Sequence, residues 1–143
     1  MVITSNNKLP IKENNKKYIF LAGSIDNKLS GNWRKQFIDK LDSKDSFFDP
    51  THDKHDSLNE KEMIAHIEWE LEALSMSDKI ILNFLPNALS PISLVELGLY
   101  VASKKLLVIC PKEFYKSRYV YTLCKKHNTP IFLNLEEAIN TLT

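Results

Sequence analysis

From Ile80 to Ser103 the chain carries a single charged residue, Glu96, set within Pro91-Ile92-Ser93-Leu94-Val95-Glu96-Leu97-Gly98. Burying an ionised carboxylate without a partner is costly enough that such a group neutralises, finds a cation or lines a cleft. A second acid, Glu70, lies in the run 60–76, where Ile64, Ile67, Leu71 and Leu74 recur at helical steps. At roughly 100° per residue these four form one stripe with Glu70 on its flank, while Glu68 and Glu72 project away. Two inward carboxyls on successive helices suit retaining glycosyl transfer. One attacks the anomeric carbon to form an ester and the other protonates the leaving group, at a separation of about 5 Å. The competing role for Glu96 is structural, accepting main-chain amides or an arginine.

Other constellations point less sharply. The loop Asp49-Pro50-Thr51-His52-Asp53-Lys54-His55-Asp56 mixes His and Asp, but without the helical HExxH or EF-hand spacing it reads as a solvated loop rather than a metal site. Substrate contact there stays open. There is no GxSxG elbow, P-loop or GxGxxG, so the usual phosphoryl-transfer machinery is unsupported. Ala22-Gly23-Ser24 is a turn of small residues that lets a ligand approach backbone amides.

Five short β-branched or aromatic runs, at 18–21, 46–48, 79–84, 106–110 and 130–133, read as strands. Helical periodicity falls at 31–41, 60–76, 91–103, 116–126 and 135–142. Ser90 is placed to N-cap the helix that carries Glu96, with Pro91 at its first position. Strands alternating with helices predict an α/β fold, a doubly wound five-stranded parallel sheet of order 2-1-3-4-5 with helices on both faces. In such a sheet ligands sit beyond the carboxyl ends of the strands where the order reverses, between the turn at 22–24 and the turn at 85–90. Trp69 falls nearly opposite the apolar stripe. It is either a second packing surface, such as a subunit contact, or an isolated exposed aromatic.

The 143 residues suffice for one domain with a real core. A mobile tail is expected over 1–16 and the domain over 17–143. The net charge of +1 gives no field to attract a nucleic-acid polymer. Cys110 and Cys124 lack a metal-ligand spacing and read as reduced, buried hydrophobes. No run is long enough to span a membrane, and the Asn- and Lys-rich start lacks a secretory core, so a cytoplasmic location is expected.

The segments Phe20-Leu21-Ala22-Gly23-Ser24-Ile25, Trp33-Arg34, Ile67-Glu68-Trp69-Glu70, Leu74-Ser75-Met76-Ser77-Asp78 and Ser90-Pro91-Ile92-Ser93-Leu94-Val95-Glu96-Leu97-Gly98 resemble the nucleoside 2-deoxyribosyltransferase family, particularly its short nucleoside 2-deoxyribosyltransferase-like branch. The resemblance implies a flavodoxin-like fold and a glycosyltransferase of nucleotide metabolism that exchanges nucleobases on 2′-deoxyribose. Glu96 would be the nucleophile, and Glu70 would bind or protonate the base. Substrate contacts are implied at Ala22, Gly23, Ser24, Ile25, Ser90, Ser93, Asp49 and His52. Neither cofactor nor metal is implied. The partners would be a deoxynucleoside and a free base, in a homo-oligomer whose sites a neighbouring subunit completes. The classical transferases carry an aspartate where this chain has Ser90. Two alternatives follow: an N-glycosidase of deoxynucleoside 5′-monophosphates, and a non-catalytic nucleotide-binding or sensing module.

Overall fold

The computed structural model describes residues 1–24, 31–41, 44–52 and 54–143. Its strands are β1 (Val2–Thr4), β2 (Tyr18–Gly23), β3 (Ser46–Asp49), β4 (Lys79–Asn83), β5 (Leu106–Ile109) and β6 (Ile131–Phe132). The helices are α1 (Trp33–Lys40), α2 (Glu60–Met76), α3 (Pro91–Tyr100), α4 (Ser117–Lys126) and α5 (Leu135–Leu142), with a short 3-10 turn at His55–Ser57. All strand pairs are parallel and the sheet order is β1-β3-β2-β4-β5-β6. Leaving out β1, this is the expected 2-1-3-4-5 flavodoxin-like arrangement.

The sixth strand corrects the expected count of five. Val2–Thr4 pairs with β3 in the register Val2↔Phe47 to Thr4↔Asp49, and Ile3 is buried in the core. Further contacts of the N-terminal segment include those from Trp69 Nε1 to the Asn7 carbonyl at 3.2 Å and from Lys12 Nζ to Asp78 Oδ1 at 2.6 Å.

Alternation along the strands builds two cores, because successive side chains face opposite sides of a sheet. Tyr18, Phe20 and Ala22 point to the face covered by α2, α3 and α4, where Leu74, Leu97 and Val120 pack. Ile19 and Leu21 point to the other face, against Trp33 and Phe37 of α1 and Ala138 of α5. No helix among the described residues is long and apolar enough to cross a membrane.

Helix α2 starts at a reciprocal capping box. Asn59 Oδ1 accepts from Glu62 N at 2.8 Å and Glu62 Oε1 accepts from Asn59 N at 3.0 Å, satisfying two amides that would otherwise lack helical partners. The helix is rotated from the orientation its sequence suggests. His66, Ala73 and Leu74 are buried, whereas Ile64, Ile67 and Leu71 are about half exposed. Trp69 packs inward, its ring meeting Phe48 edge-on at 6.1 Å, so the expectation of an outward tryptophan is corrected. The small Ala73 lets the helix sit close to the sheet while Trp69 fills the gap near β3, and this turns the isoleucine stripe towards a cleft and solvent.

Candidate active site

The carboxyl ends of β2 and β4 open into a pocket of about 760 Å³ between α2 and α3. Its floor is formed by Phe20, Ala22, Gly23 and Ser24 from β2 and the turn that follows. Gly23 has φ of +146°, and a Cβ there would lie 2.7 Å from the Asn83 carbonyl oxygen. Only glycine allows β2 and β4 to pair this closely at the pocket floor.

Arg34 of α1 reaches under this turn and fixes it. Its Nε donates to the Leu21 carbonyl at 3.0 Å, Nη2 to Gly23 at 3.2 Å and Nη1 to Ser24 at 3.3 Å. The guanidinium also stacks over Trp33 at 4.6 Å and lies 3.7 Å from Asp49 Oδ1. Burial lowers its pKa to about 10, opposed by the negative charges of Asp49, Glu96 and Glu70. It therefore remains a cation at neutral pH, beneath a pocket that holds two carboxyls.

Helix α3 supplies the opposite wall. Pro91 sits in its first turn as expected, and Ser90 occupies the N-cap position. Ser90 adopts φ of 51°, in the left-handed region, and its hydroxyl makes no cap. That conformation is disfavoured for a residue with a Cβ by about 1–3 kcal/mol, a strain found preferentially at ligand sites. The Ser90 Oγ is buried without a hydrogen-bond partner among the described residues and lies on the pocket wall. Tyr115 Oη donates to the Leu89 carbonyl at 3.1 Å, tying down the turn just ahead.

Glu96 faces the pocket one and a half turns into α3 and is 7% exposed. Among the described residues no hydrogen bond or ion pair reaches its carboxyl, so it is not sealed against an arginine or main-chain amides. Burial, reinforced by the charge of Glu70 and opposed by Arg34, raises its pKa from an ordinary 4.5 to about 8. Glu70 lines the same pocket from α2, and burial against the opposing pull of Arg34 raises it to about 7. Two mutually sensitive acids of this kind titrate as a pair, and near neutral pH they hold about one proton between them.

Of the residues singled out in the sequence, Ala22, Gly23, Ser24, Glu70, Ser90, Ser93 and Glu96 line this one pocket. Ile25 lies outside the described residues. Asp49 and His52 are not on the wall. Asp49 Oδ1 accepts from the Thr51 hydroxyl at 2.6 Å and faces Arg34, and the His52 ring lies edge-on to His66 at 5.7 Å.

Several lining residues carry no site signal in the sequence. Ile67 and Leu71, read as core, form an apolar wall, with Val95 and Leu99 facing them. His55 and His66 also line the pocket. His66 is buried one turn before Glu70, with Nε2 at 2.9 Å from Glu70 Oε1. That approach is short but lies off the axis of the ring N–H, and neither ring nitrogen has an aligned hydrogen bond among the described residues. The His66 pKa is lowered by burial and by the neighbouring His55 and His52. The only sequence hint of this pair is its i,i+4 spacing.

An apolar cleft with two elevated acids, a buried cation behind them and an unpartnered hydroxyl is suited to acid-assisted nucleophilic substitution on a small polar molecule. No curated protein matches the chain. The family model described as "Nucleoside 2-deoxyribosyltransferase like" matches residues 16–114.

Proposed function

Because the chain belongs to the nucleoside 2-deoxyribosyltransferase-like family, we propose that it exchanges nucleobases on 2′-deoxyribose through a glycosyl ester of Glu96. The observation that carries this reading is the position of Glu96 on the wall of a nucleoside-sized pocket, unpaired and facing a second protonatable acid.

In the proposed reaction the ionised Glu96 carboxylate attacks C1′ as the bond from C1′ to the base nitrogen breaks. The protonated Glu70 transfers its proton to the departing base. An incoming base then attacks C1′ of the ester, returns a proton to Glu70 and releases Glu96 as carboxylate. The working state thus needs one proton on the pair, residing on Glu70. With Glu96 raised to about 8 and Glu70 to about 7, the proton rests more on Glu96 in the free protein, so the reaction draws on the less populated arrangement of the shared proton. Arg34 favours ionisation of both carboxyls from behind the turn. Ile67, Leu71 and Val95 offer flat apolar surface for a base, while Ser24 and Ser93 are within the wall that would face the sugar.

Incubation with a deoxynucleoside and a different free base, followed by chromatography, should yield the exchanged nucleoside. Glu96→Ala should lower the rate by about four orders of magnitude with the fold intact. Mass spectrometry after reaction with a 2-fluoro sugar analogue should find the adduct on Glu96. Normal turnover by Glu96→Ala would reject the assignment.

A second reading, hydrolysis of deoxynucleoside 5′-monophosphates, draws support from Ser90. An unpartnered hydroxyl at the start of α3, beside amides with no helical acceptor, suits an anionic group. Release of free base from a monophosphate without any acceptor base would select it. Tight nucleoside binding without turnover would instead indicate a sensing module. Assembly with a second copy is proposed on the half-exposed Ile64, Ile67 and Leu71 of α2 and the exposed Ile92, Val95 and Leu99 of α3, an apolar face continuous with the pocket mouth. Sedimentation of Ile92→Asp should show a smaller species than the parent.

A further inference from the structure

Glu70 can act as the acid only if one of its oxygens is directed at the ligand while the other is held. On the described side chains the holding group is a histidine. His66 Nε2 stands 2.9 Å from Oε1, with the imidazole buried and the carboxyl side chain 16% exposed. The ring is itself confined, since His52 and His55 meet it edge-on at 5.7 and 5.6 Å from the segment between β3 and α2. Among the described residues no group of three His, Cys, Asp or Glu is arranged to hold a metal ion.

We propose that His66 is a positioning residue for the proposed reaction: its Nε2–H is donated to Glu70 Oε1, leaving Oε2 to carry the transferable proton into the pocket. The inference rests on the reading of Glu70 as the acid. The neutral imidazole does not supply the proton. It fixes which carboxyl oxygen faces the base, and after Oε2 has given its proton away it stabilises the carboxylate that remains. Donation requires the ring to turn until its N–H lies on the line to Oε1, since at 2.9 Å the two atoms are close but not aligned. The other charged or titratable groups facing Glu70 are Arg34 from α1, Glu96 from α3 and, through the ring of His66, His52 and His55. Among these neighbours His66 is the one in direct contact.

The sign of the effect follows from the direction of donation. An N–H given to a carboxylate favours its ionised form, so removing it raises the carboxyl's pKa. The test is a carbon-13 titration of the glutamate side-chain carboxyls in the full chain, with the Glu70 resonance identified by its loss in Glu70→Gln. His66→Phe should move the Glu70 midpoint upward by about one pH unit. His66→Gln, which sets an amide N–H near the place of Nε2, should restore most of the shift. His66→Asn, whose amide reaches the Nδ1 side, should not, and this pair of variants decides the matter if the phenylalanine does not fold. A Glu70 midpoint unmoved by phenylalanine and by asparagine, or glutamine behaving as asparagine does, overturns the proposal.

Base exchange measured against pH adds a second readout. The high-pH loss of kcat should move upward in His66→Phe, with kcat about tenfold lower and KM little changed. If the parent protein exchanges no base at all, the proposed reaction fails, and the titration still judges the contact between His66 and Glu70.

Discussion

Replacing Glu96 by glutamine should stabilise this protein, by an amount that grows with pH. In the unfolded chain the carboxyl ionises near 4.5, whereas in the pocket burial and Glu70 hold its proton until about 8. Between these values the native state binds more protons than the unfolded state, so stability falls as pH rises through the window. Below 4.5 both states are protonated and the residue is neutral in its effect; above 8 the full penalty applies. At about 1.4 kcal/mol per pH unit the rise corresponds to at most about 5 kcal/mol. Part of that belongs to the pair with Glu70, so about 2–3 kcal/mol is expected for Glu96 alone. Glutamine keeps the shape and removes the ionisation. Urea denaturation of parent and Glu96→Gln should therefore coincide near pH 4 and separate by about 2–3 kcal/mol at pH 8, with the variant the more stable. Equal stability at both pH values, or a gap that narrows as pH rises, would refute the reasoning that this carboxyl is buried without compensation.

Gly23→Ala places a methyl 2.7 Å from the Asn83 carbonyl at a φ of +146° and should lower unfolding free energy by about 2–4 kcal/mol, read from the urea midpoint. Arg34→Met strips three carbonyls of their donor and should destabilise by about 3 kcal/mol in the same assay. In the same variant the Glu96 midpoint should rise above about 8, because the opposing cation is lost. Ile3→Asp puts an unpaired charge at a buried position of β1 and should expose the edge of β3, seen as faster amide exchange at Phe47, whose N–H donates to the Met1 carbonyl at 2.8 Å.

The sheet order was legible because each interior strand is short, β-branched or aromatic, and separated from the next by a stretch of helical period. β1 escaped notice for a physical reason. Three residues carry too little periodicity to register, and Val2–Thr4 is a strand only because Phe47 and Phe48 offer it an edge. Glu96 stood out as the lone charge of a long apolar stretch. The orientation of α2 did not. A stripe of Ile64, Ile67 and Leu71 looks the same in sequence whether it meets a core or an apolar pocket, and only the fit of Trp69 beside Phe48 decides between them. Gly23 could be seen as a small turn residue, but its close approach to Asn83 depends on the pairing of β2 with β4, which joins positions far apart in the chain. His66 was invisible because a lone histidine on a helix carries no signal until its neighbours are placed.

The grip of Arg34 on the carbonyls of Leu21, Gly23 and Ser24, at the end of β2, makes the two sides of the cleft mechanically unequal. The segment from Leu21 to Ser24 behaves as a fixed jaw, since displacing it means breaking hydrogen bonds to a buried cation that is wedged against Trp33. The helical side is the yielding jaw, where Ile67, Leu71, Val95 and Leu99 are about half exposed and can change rotamer at little expense. On the proposed function, bases of different girth would be accommodated by repacking those of the four side chains that a second copy leaves uncovered, while the edge read as facing the sugar would keep one shape for all of them.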